Sequence, residues 1–88
     1  MDREAVQARI AHEAAELRAG FPYLTDCQAA LVQWKDGDAA RYALHLDIRW
    51  PQHQTLMSGG PHDSAEAAIS AAFRSARQRL HEATWASR

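Results

Sequence analysis

The amino-acid sequence predicts an α+β two-layer sandwich in the order α-β-β-β-α, with both helices on one face of an antiparallel three-stranded sheet. Three observations carry this. Tyr42, Leu44, Leu46, Ile48 and Trp50 occupy every second position, so an extended chain sends all five to one side. The intervening Arg41, Ala43, His45, Asp47 and Arg49 are mostly polar, as in a strand with one packed and one wet face. Asp36-Gly37 just before it is a hairpin signal. Finally, apolar stripes at helical spacing lie on both sides of the strand region, and they can cover its packed face.

The first helix opens at Asp2, a capping residue, with Glu4 in the first turn where the helix dipole favours a negative charge. Val6, Ile10, Ala14 and Leu17 form its stripe, and Gly20 followed by Phe21-Pro22 ends it. Phe21, Tyr23 and Leu24 belong to a connector that tucks under the core. Residues 27–35 read as the first strand, with Cys27, Ala29 and Leu31 facing one way and Ala30, Val32 and Trp34 the other. After the hairpin and the Tyr42 strand, Pro51-Gln52-His53 turns the chain. Gln54 to Ser58 is a short third strand, expected to break at Gly59-Gly60-Pro61. The second helix begins around Asp63 or Ser64; with Asp63 as cap, Glu66 sits three residues on and completes a capping box. Its stripe is Ala65, Ala68, Ile69, Ala72, Phe73, Ala76 and Leu80, and it frays after Ala83, with Trp85 folding back.

The 88 residues make one domain, 1–88, large enough for a single small core. A lone cysteine, Cys27, excludes an intrachain disulfide. With no long apolar run and no leader-like start, the chain reads as cytoplasmic. Net charge is −1 but unevenly spread: residues 1–40 hold four basic against seven acidic side chains, and from Arg74 onward four arginines face one glutamate. Such a split can orient a protein on a polyanion; solvated faces produce it as well.

Residues for catalysis are scarce. His12, His45, His53, His62 and His81 show no metal-ligand spacing. Cys27 starts a strand, where a thiol packs, and nothing local activates it. Ser58 lacks a nucleophile elbow, and Gly59-Gly60-Pro61 lacks the pattern of a phosphate loop. His45 and Asp47 are neighbours on one strand face and read as a salt-linked pair. The chain is therefore expected to be no enzyme and to need no cofactor. What remains is arginine: Arg41 and Arg49 on the polar sheet face, and Arg74, Arg77 and Arg79 on the second helix. Guanidinium groups hold phosphate bidentately and stack on bases, so these are the candidate RNA contacts. Balancing nearby acids is their plainer role.

The run from His62 to Leu80, with Asp63, Ala68-Ile69, Phe73 and Ala76-Arg77-Gln78-Arg79-Leu80 at its marked positions, is similar to the final helix of the ribosome hibernation-promoting factors and ribosome-associated inhibitors. Leu17, Phe21 and Asp26-Cys27 resemble the segment leading into that family's second strand, and Tyr42 to Trp50 resembles the strand after it. The resemblance implies a translation regulator of stationary phase or stress, bound to the 16S rRNA of the small ribosomal subunit through Arg74, Arg77 and Arg79. Two departures stand out. The family's opening strand is absent, and Glu13 and Glu16 occupy a helix that carries basic residues in the family. The alternative is a protein–protein interaction module of the same fold that has lost its RNA contacts. The element order also resembles a double-stranded RNA-binding domain, but His62, Asp63, Ser64 and Glu66 stand where that module needs lysines. Without an opening strand, the edge at 27–34 carries neither charge nor proline, and it predicts a homodimer through that edge.

Overall fold

A computed structural model describes residues 3–86, with side chains through Ala83. The order is α1 (Arg3–Gly20), β1 (Asp26–Asp36), β2 (Ala39–Trp50), β3 (His53–His62) and α2 (Ala65–Ala86). The strands form one antiparallel sheet in the order β1-β2-β3. Both helices lie on one of its faces, as the alternation in β2 requires. The cap at Asp2 and the fold-back of Trp85 lie outside the described residues and side chains.

Leu44, Leu46 and Ile48 of β2 are fully buried and meet Leu17 of α1 and Ile69, Ala72, Phe73, Ala76 and Leu80 of α2. Tyr42 and Trp50, at the ends of the same stripe, are only half-buried, because the helices cover the middle of the strand more fully than its ends. Trp50 is stacked on His53 across the second turn, with ring centroids 5.3 Å apart. In the connector, Phe21 and Leu24 pack on the core, while Tyr23 stays exposed with its ring edge-on to Phe21.

Three expectations need correction. Gly59-Gly60-Pro61 does not end β3; the strand runs through it to His62. Tyr42 pairs with His62 and Leu44 with Gly59, so Gly60 and Pro61 together oppose Ala43 in a β-bulge. The two glycines are there for proximity. A Cβ on Gly59 would lie 2.6 Å from the Ala72 amide nitrogen and 2.8 Å from the Ala68 carbonyl oxygen. Gly60, at φ 139°, would meet the Tyr42 carbonyl at 2.7 Å. Second, of the two starts the sequence offers, Ser64 and not Asp63 caps α2: the Ser64 hydroxyl accepts from Ala67 N–H at 3.1 Å, and Asp63 turns instead to Arg41, so the capping box with Glu66 does not form. Third, Asp47 does not pair with His45. It accepts from Gln54 Nε2 at 3.0 Å and from Arg49 at 3.2 Å.

Candidate nucleic-acid interface

α2 is a helix with seven buried positions, Ala65, Ala68, Ile69, Ala72, Phe73, Ala76 and Leu80, and its arginines are whatever faces remain. At 3.6 residues per turn, Arg74 and Arg77 are neighbours one turn apart, whereas Arg79, two residues on, emerges about 200° round the axis. The three therefore do not form one row. Arg77 sits on the flank toward α1, where its Nη1 is 3.4 Å from Glu13. Glu13 also holds Arg9 at 3.4 Å, and Arg9 donates to Ser70 Oγ at 3.2 Å. Glu13 thus takes up one of the three arginines expected to meet RNA.

Arg74 and Arg79 are different. Among the described residues no carboxylate pairs with either; Glu82, one turn beyond Arg79, accepts from Gln78 at 3.5 Å. Both arginines are solvent-exposed.

The two sheet arginines lie on the face opposite the helices and are spoken for. Arg41 joins Asp63, with Asp36 4.0 Å away, and Arg49 joins Asp47 at 3.2 Å. Hydrogen bonds from Gln54 and then Arg49 hold the Asp47 carboxyl below its ordinary pKa, which keeps it charged and its arginine neutralised. The five candidate residues are thus divided between opposite sides of the molecule, and two of them, Arg74 and Arg79, have no carboxylate partner among the described residues.

Sequence reasoning missed two features. The outer sheet face carries apolar side chains in the open: Leu56 is 73% exposed, Trp34 40% and Val32 39%. Met57 packs toward the core, so strand alternation puts its neighbour Leu56 on the outer face. A groove of about 880 Å³ also runs between α1 and β1, lined in part by Val6, Ile10, Ala14, Ala29, Leu31 and Tyr42. Its signal was the run of small residues, Ala11, Ala14 and Ala29, which leave the space unfilled. At one end of the groove is Cys27, whose thiol is pushed up from its ordinary pKa by burial and lowered only in part by Arg18; it stays protonated at neutral pH and is a poor nucleophile.

Among the described residues no three of His, Cys, Asp and Glu gather as metal ligands, and no helix is long and apolar enough to cross a membrane. No family model, curated protein or solved structure matches the chain.

Proposed function

We propose that this chain is a cytoplasmic ribosome-associated domain of the hibernation-factor type, which binds RNA of the small ribosomal subunit through α2 and so modulates translation under stress. The observation that carries this reading is the pair Arg74 and Arg79, exposed on α2 with no carboxylate partner among the described residues. A guanidinium left unpaired on a rigid helix can engage phosphate without first breaking an ion pair. The order of elements and the His62–Leu80 run support the same reading.

A second reading, an interaction module that has lost RNA, draws on the pairing of Arg41, Arg49 and Arg77 with acids. Co-sedimentation with small ribosomal subunits separates the two. On the RNA reading, the protein pellets with subunits at about 50 mM salt and is released toward about 200 mM, as counterion release dictates. The Arg74→Glu, Arg79→Glu double variant stays in the supernatant. Arg77 is left in place because a glutamate there would face Glu13 and disturb the helix pair. Association indifferent to salt, or a double variant that still pellets, would reject RNA binding in favour of a protein partner.

A further inference from the structure

The outer edge of β1 is a row of backbone groups that pair with no other strand among the described residues. Asp36 and Ala39 flank a two-residue turn, which makes them a hydrogen-bonded pair, so every second residue back from Asp36 (Trp34, Val32, Ala30, Gln28) directs its N–H and C=O to β2. Lys35, Gln33, Leu31, Ala29 and Cys27 therefore direct theirs outward. Cys27 agrees: its outward N–H donates to the Asp26 carboxylate at 2.9 Å. Among the described residues nothing of this kind caps the edge from Ala29 to Lys35.

Above that edge stands α1. The flank of α1 turned from α2, with Arg3, Gln7, Ala11 and Ala14, lines the groove together with Cys27, Ala29, Leu31 and Gln33. α1 packs on α2 and touches the sheet sparingly, so it overhangs a slot floored by apolar side chains and walled by an unpaired strand. Among the described residues no carboxylate lines this slot. Arg3 stands at its mouth, and Lys35 ends β1 on the same face; neither has a carboxylate partner among the described residues.

We infer that the slot receives one extended peptide segment of a partner protein, added as a fourth strand beside β1. Its alternate side chains are apolar and enter the groove, and an acidic residue at one end reaches Arg3 and Lys35. Backbone pairing supplies affinity, and the alternate pockets supply selectivity. A second copy of this chain is the competing occupant, since an uncharged edge invites its own kind. Geometry favours the single strand. Paired strands sit about 4.8 Å apart, whereas packed helices need about 8–10 Å between axes, so two overhanging α1 helices would compete for the space above one β1–β1 junction.

The test uses the full chain and fluorescein-labelled nonapeptides that alternate Val with Thr or Leu with Ser, flanked by Glu at both ends, with Lys-flanked versions as controls. Anisotropy is expected to show saturable binding of at least one Glu-flanked peptide, at least tenfold tighter than its Lys-flanked counterpart at low salt. Ala29→Pro, which removes an outward N–H, and Ala11→Trp, which fills the slot, should each weaken binding at least tenfold while circular dichroism keeps the parent melting curve. Leu56→Ser, on the opposite face, should leave binding unchanged. Absence of saturable binding up to about millimolar peptide, or binding indifferent to both slot variants, would overturn the proposal. So would a dimer in sedimentation at micromolar protein that Ala29→Pro dissolves, since that assigns the edge to a second copy.

Discussion

The two helices sit on the same face of one sheet and are held in very different ways. α2 buries seven positions, six of them below 1% or at 1% exposure, and its alanines bring its backbone down onto the Gly59 backbone. Among the described residues α1 buries Leu17 alone, near its C-terminal end; Val6, Ile10 and Ala14 are half-covered along the groove. The difference teaches where the stability resides. α2, β2 and β3 form a close-packed unit, and α1 is hinged to it through Leu17 and a polar bridge at Glu13. A helix seated so lightly is one whose underside remains accessible to a ligand, whereas the underside of α2 is already spent on the core.

The largest expected effect breaks the α2 side. Phe73→Ala removes a ring with no exposed surface from between β2 and α2, at a cost of about 3–5 kcal/mol. A domain of this size has a total of only about 5–15 kcal/mol, so the variant should be largely unfolded. A cooperative melt near the parent temperature, followed by circular dichroism, would show that the core lies elsewhere.

Next comes Gly59→Ala. The added methyl would stand 2.6 Å from the Ala72 nitrogen and 2.8 Å from the Ala68 oxygen, and both are backbone atoms that can yield only if α2 lifts. The expected loss is about 1–3 kcal/mol, read from denaturant midpoints. Ala72→Gly should not restore it, since the backbone contacts persist without the Ala72 methyl. If it does restore stability, the contact is between side chains and α2 is less tightly seated than these distances imply.

Leu17→Ala addresses the hinge of α1. Truncating a buried leucine costs about 2–5 kcal/mol, and here the lower end is expected because α1 can come away by itself. The sharper readout is hydrogen exchange. Amides of α1 should lose protection while those of β2 and α2 keep it, the sign of local opening. Equal loss throughout would mean that α1 is as integral as α2.

This contrast also explains what could be read in advance. The β2 alternation and the α2 stripe were legible because burial is nearly complete there, and each apolar residue in the pattern has one place to go. The stripe of α1 was equally visible in Val6, Ile10, Ala14 and Leu17, yet spacing does not say how far a helix stands from a sheet; the small side chains of Ala11, Ala14 and Ala29 left that distance open. Gly59-Gly60-Pro61 was misread because glycine serves both as a turn residue and as a point of close approach, and the second use depends on Ala68 and Ala72 from another element. At the candidate site the arginines were identifiable by type. Their pairing was not, because Glu13 with Arg77 and Asp63 with Arg41 are distant in sequence and meet only through the fold.

The smallest effect concerns that polar bridge. Glu13 lies within 3.4 Å of both Arg9 and Arg77, and its side chain is 12% exposed against 44% for each arginine. A pair half open to water is screened, and a coupling of about 0.2–1 kcal/mol is expected. A double-mutant cycle with Glu13→Gln and Arg77→Gln isolates it, since glutamine keeps the shape and removes the charge. The coupling should shrink as salt rises, because exposed charges are screened within about 10 Å at 0.1 M. The same cycle bears on function. Glu13→Gln frees Arg77 beside Arg74, so on the RNA reading it should strengthen co-sedimentation with small ribosomal subunits and steepen its salt dependence. If Glu13→Gln leaves binding unaltered while Arg74→Glu abolishes it, Arg77 belongs to the helix bridge alone and the contact surface turns away from α1.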